Sequence, residues 1–167
     1  MAMIGCTNSK SHRSRGPSAK SPAASHQYRA WNSSKRQMVR TTAYSHKENE
    51  PGAYGRLNAI GTTLRYGRVR SAAADWSRYP MGTQFRIVGE RHLYEIDDYG
   101  SALVGTSTID LYKPNLRLMN EWGARHVEIE IVRWGSFQES ADFLSKKTRY
   151  PHVNQMYRSI LAHMRRG

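Results

Sequence analysis

The sequence predicts a mainly β domain with a short inserted helix and a helical C-terminal extension. Three observations carry that expectation. His126 to Trp134 (His-Val-Glu-Ile-Glu-Ile-Val-Arg-Trp) alternates with period two, as a half-buried strand does. Shorter β-prone runs between Arg36 and Tyr112 are punctuated by Gly, Pro and Asp turn chemistry. After Gly135 the apolar period becomes that of an amphipathic helix. At 167 residues there is room for one sizeable core and not for two.

Residues 1–36 contain Ser, Pro, Ala, Lys, Arg and His and no Asp or Glu. Such a segment buries too little apolar surface to offset chain entropy, so disorder is expected there, with basic side chains free to lie against an anionic surface. Cys6 ends the run Met-Ala-Met-Ile-Gly-Cys and has two readings: a lipid anchor at the end of a truncated signal, or an incidental cysteine. A single cysteine excludes an intrachain disulfide and a multi-cysteine metal site.

Residues 37–135 form the expected β domain. Arg36–Tyr44 reads as its first strand and residues 45–57 as a polar loop. Asn58–Leu64 reads as a short strand, and Arg68–Ala74 as the strand that delivers Asp75, its three alanines packing closely on a neighbour. Tyr79–Gly82 is a turn; strands Gln84–Val88 and His92–Ile96 flank Gly89-Glu90, and Thr106–Leu111 is a strand containing Asp110. Pro114 opens a helix that runs to Trp122 and is capped by Gly123. In the extension, 136–167, helices are expected over 136–145 and 153–164. Val153, Met156, Tyr157, Ile160, Leu161 and Met164 form an apolar face docked on the β domain.

Twenty-six basic residues against 13 acidic ones give a formal charge of +13, which points to an anionic partner: nucleic acid, anionic lipid or an acidic wall polymer. Mean hydropathy is −0.74, and no run approaches the roughly 18 apolar residues of a membrane span. There is no P-loop and no Ser or Cys nucleophile constellation, and the histidines lack ligand spacing, so neither metal nor cofactor is expected. Against this basic background three aspartates stand out, each at the end of a β-prone run beside turn residues. Asp75 precedes Pro80-Met-Gly82-Thr83, Asp98 opens Asp98-Tyr-Gly100-Ser-Ala-Leu-Val-Gly105, and Asp110 lies in Ile-Asp110-Leu-Tyr112. Clustered carboxylates on a β scaffold fit glycosidic bond cleavage better than acyl or phosphoryl transfer. Asp97 is the rival for the second position, and strand alternation predicts that it faces away from Asp98.

In order and spacing these runs resemble the 3D domain, named for three aspartates, and with it the catalytic barrel of membrane-bound lytic transglycosylase A. The likeness covers roughly Val39 to Trp134, including Trp122-Gly123. Trp76 stands where the family often has Pro, Ser101 where it has a second Gly, and Val104 where it has Lys. The resemblance implies a six-stranded double-psi β-barrel in a bacterial envelope. Its implied activity is cleavage of the β-1,4 bond between N-acetylmuramic acid and N-acetylglucosamine in peptidoglycan, leaving 1,6-anhydro ends. Asp110 is the implied acid and then base, and needs a raised pKa from burial or from a nearby charge, for which Asp98 and Asp75 are the natural sources. Tyr44, Trp76, Gly100, Gly105 and Tyr112 are the expected substrate contacts, with Trp76 able to stack on a sugar ring and Tyr44 otherwise a packing residue. The expected partner is the glycan strand, met by a monomer with no specific nucleic acid and with possible anchoring through Cys6. The rival reading is a non-catalytic wall-binding module.

Overall fold

The computed structural model describes residues 35–48 and 55–166; Cys6 and the N-terminal segment expected to be disordered lie outside them. Six strands close into a barrel: β1 (Arg36–Tyr44), β2 (Val69–Ala73), β3 (Gln84–Ile87), β4 (Leu93–Asp98), β5 (Ile109–Tyr112) and β6 (Arg125–Arg133). Around the ring their order is β1-β5-β2-β4-β3-β6. The pairs β1/β5 and β2/β4 are parallel, and the other four are antiparallel. Parallel neighbours cannot be joined by a hairpin, so each such pair requires a long crossover.

Alternation decides which side chains fill the barrel. Val39, Ala72, Phe85, Tyr94, Ile96, Ile109, Leu111, Ile129 and Ile131 point inward and are buried. Phe85 and Tyr94 stack at 5.3 Å, and the Tyr94 hydroxyl reaches Glu90 at 3.1 Å, which satisfies its one polar atom. Ala72 and Ala74 are fully buried, consistent with close approach of the neighbouring strands.

The predicted strand at 58–64 is a turn instead, with one isolated bridge between Leu57 and Thr63. Asn58 causes this. Its amide donates to Thr62 Oγ1 and accepts from the Thr62 N–H, both at 2.8 Å, so a side chain takes the place of a strand partner.

Helix α1 (Leu116–Trp122) starts two residues later than Pro114 suggests, because the Asn115 side chain accepts from the Leu118 N–H; Gly123 caps its end with φ 60°. Helices α2 (Phe137–Ser145) and α3 (Pro151–Met164) follow, with Ser136 and Tyr150 as their N-caps. Leu144, Val153, Met156 and Ile160 are fully buried in the core shared with Trp76 and Ala74, whereas Met164, at the end of the expected face, is exposed. Gly135 makes the corner between β6 and α2. A Cβ there would lie 2.0 Å from the Met81 carbonyl oxygen, so only glycine fits. No helix among the described residues is long and apolar enough to cross a membrane.

Candidate active site

The register of the sheet builds one row of residues. Ala73 on β2 pairs with Asp98 on β4 and with Asp110 on β5, and Asp110 pairs in turn with Thr42 on β1. Paired residues share a face. Ala72 pairs with Leu111 and Ile96 inside the barrel, so this row faces the outer wall. Asp98 and Asp110 thus stand two strand spacings apart, about 10 Å along the sheet, with the Ala73 methyl group between them in the row and the Tyr44 side chain reaching from β1 to Asp98.

The two carboxyls differ in how they are held. Asp98 Oδ1 accepts the N–H groups of Ala59 (3.0 Å) and Tyr99 (2.9 Å), and Oδ2 accepts the Tyr44 hydroxyl at 3.0 Å. Burial pushes its pKa up to about 6; these three donors oppose the shift and the neighbouring Asp97 adds to it. Asp110 Oδ1 accepts from Thr42 Oγ1 at 2.7 Å, and no hydrogen bond among the described residues engages its Oδ2. Burial raises the Asp110 pKa first, the Thr42 bond opposes this, and the charge of Glu48 raises it further. The expected sources of that charge, Asp98 and Asp75, are not among the causes. Asp110 is half-buried and presents a free oxygen.

Asp75 does not join the row. It is 2 % exposed, and its oxygens accept from the Ser77 N–H (2.8 Å), the Ser77 hydroxyl (2.7 Å) and the Gly105 N–H (2.7 Å). This carboxylate ties the turn after β2 to the Gly105 loop, where Gly105 has φ +82°.

Asp97 also departs from expectation. A bulge between Ala72 and Ala73 shifts the β2/β4 register by one residue, so Asp98 changes sides relative to Ile96 and both aspartates reach the outer wall. Asp97 accepts from Ser71 Oγ (2.7 Å) and Arg65 Nη2 (2.9 Å), and Arg65 also bridges to Glu95 at 3.1 Å. Its Oδ1 is buried without a hydrogen-bond partner.

Of the expected sugar contacts, Trp76 is fully buried. Its Nε1 donates to the Asp98 carbonyl at 2.9 Å and its ring meets Tyr99 edge-on at 5.0 Å, leaving no face for a sugar. Tyr112 is likewise fully buried, its hydroxyl 2.8 Å from His46 Nδ1. Tyr44 packs edge-on against Tyr112 and positions Asp98; burial first, then the Asp98 charge, hold its phenol well above the ordinary range, as a neutral donor. Gly100 precedes a 3-10 turn over Ser101–Leu103, and Gly105 is exposed at the rim.

Sequence reasoning missed Thr42, Ala59 and Glu48, all of which act on the two carboxyls. Only Thr42 left a signal: alternation places it on the same face as Tyr44. Among the described residues no group of three or more His, Cys, Asp or Glu is arranged to hold a metal ion. No protein-family model matches the chain, and no curated protein matches it.

Proposed function

We propose that the protein is a lytic transglycosylase that cleaves peptidoglycan strands in a bacterial envelope, using a double-psi β-barrel. The observation that carries this reading is the outer-wall row, in which Asp110 offers a free carboxyl oxygen opposite Asp98 across Ala73. The two parallel pairs in the closed ring support the double-psi assignment.

In this mechanism protonated Asp110 gives its proton to the glycosidic oxygen as the bond from that oxygen to the muramyl C1 breaks. Positive charge then develops at C1. Asp98, ionised above about pH 6, faces that charge and stabilises it. The muramyl C6 hydroxyl attacks C1 and releases its proton to the Asp110 carboxylate, which closes the 1,6-anhydro ring and returns the acid. No water enters the products. Tyr44 and Thr42 keep each carboxyl in one rotamer, and Asp75 holds the Gly105 loop.

A non-catalytic wall-binding module is the second reading. It is favoured by Val104, which packs partly against the core where the resemblance expects a lysine. Mass spectrometry of soluble products from purified peptidoglycan separates the two. Anhydro-muropeptides from wild type and none from Asp110→Asn are expected. Reducing-end products would mean hydrolysis, and sedimentation with the wall without products would mean the binding module.

A further inference from the structure

The same outer wall has a second end. One row beyond Ser71 and Glu95, Arg86, Leu93 and Val69 lie side by side on β3, β4 and β2. They line a groove of about 850 Å³ together with Tyr66, Arg68, Arg70, Arg91 and His92. Its lining contains four arginines and no carboxylate. No ion pair among the described residues reaches any of the four.

The arginines are held without being neutralised. Arg70 stacks over Tyr66 at 4.1 Å from the ring centroid and meets His92 Nε2 at 3.0 Å. Arginine has no acceptor, so that imidazole nitrogen accepts and His92 is neutral there. Arg70 Nε is buried with no partner. Arg86 Nη1 donates to the Arg91 carbonyl at 3.0 Å, fixing the β3–β4 turn against the groove. Glu90, beside the groove, accepts the Tyr94 hydroxyl and makes no ion pair with these arginines among the described residues. Like charges gathered in one concavity repel one another and focus a positive potential into it, an arrangement that an anion relieves.

We propose that this groove binds a base-free phosphodiester polymer. Guanidinium forks match phosphate oxygens. Here Arg68 and Arg70 flank Val69 at the start of β2, Arg86 is on β3 and Arg91 lies in the turn before β4. The width from β2 across β4 to β3 is roughly 10 Å, which is more than one phosphate spans and suits a chain with repeated charges. Tyr66, the ring that a nucleobase would stack on, is already engaged by Arg70. The site is separate from the carboxylate row, and its existence does not depend on glycan cleavage.

The test is fluorescence-detected binding of labelled poly(glycerol phosphate) at physiological salt, with an oligonucleotide of equal charge and inorganic phosphate as competitors. Arg86→Ala/Arg91→Ala changes two exposed side chains and should weaken binding about tenfold or more, lowering the salt dependence by about two released ions. Lys146→Ala/Arg158→Ala removes the same charge from the helical extension and should change affinity less than about twofold. Asp110→Asn should bind as wild type does. Equal weakening by both double variants would overturn the proposal, as would no binding by wild type. Oligonucleotide competing as well as the polymer would mean a nucleic-acid site, and full displacement by millimolar phosphate would mean a single-anion site. Either result defeats the polymer assignment.

Discussion

Asp75 follows the end of β2 and Asp110 is the second residue of β5, and the two have opposite fates in the fold. Asp75 is sealed under the Gly105 loop with three donors on its two oxygens. Asp110 lies in an open row with one donor and one free oxygen. The residue type is the same. The number of donors that the surrounding backbone aims at each carboxyl is what separates a structural tie from a chemically available group.

The strongest way to break that contrast is Asp110→Asn. It should lower anhydro-muropeptide formation by at least about a hundredfold while changing stability by less than about 1 kcal/mol, measured by product analysis and urea unfolding. Asp75→Ala should behave in the reverse sense. It leaves the Gly105 N–H and the Ser77 hydroxyl without their acceptor, and should cost about 3 kcal/mol in urea unfolding. Retained stability in that variant would show that the loop is held by other contacts.

Asp98 tests the contrast through pH. Its folded pKa of about 6 lies above the ordinary value, so folding favours its protonated form. The stabilisation is complete below about pH 4 and is lost as pH rises through 6, amounting to about 2–3 kcal/mol. Asp98→Asn should therefore flatten the pH dependence of unfolding across that window and gain on wild type at pH 7. Tyr44→Phe should have a smaller effect. It removes one donor, raises the Asp98 pKa further and costs about 1 kcal/mol at pH 7, readable by carboxyl titration in NMR. Smallest of all, Thr42→Val should move only the Asp110 titration upward. A shift at Asp98 as well would mean that the two carboxyls are coupled across Ala73.

Much of the fold is legible in the chain. Arg36–Tyr44 and the segment up to Trp134 follow period two closely enough to locate both seam strands, and Gly123 and Gly135 mark real ends of elements. The site is less legible, for physical reasons. The bulge at the end of β4 carries no Gly or Pro signature at Asp97-Asp98, so alternation wrongly sets the two aspartates on opposite faces. Trp76 looks like a sugar platform until α2 arrives to bury it against Phe143, a contact 67 residues away that no local pattern announces. The donors to Asp98 include the N–H of Ala59, a backbone group that any residue except proline would supply.

The seam of the barrel has a consequence for biosynthesis. Of the six barrel strands β1 is made first, yet its partners in the barrel are β5 and β6. Its barrel partners are therefore missing until residues 109–133 leave the ribosome. A nascent chain carries an open strand through most of its translation, with Val39 and Thr41 uncovered. Pairings so distant in sequence form slowly, and a strand kept waiting is an invitation to a neighbouring chain. The basic side chains at Arg36 and Arg40, both on solvent-facing positions of β1, put positive charge on that waiting strand, which disfavours pairing with another chain.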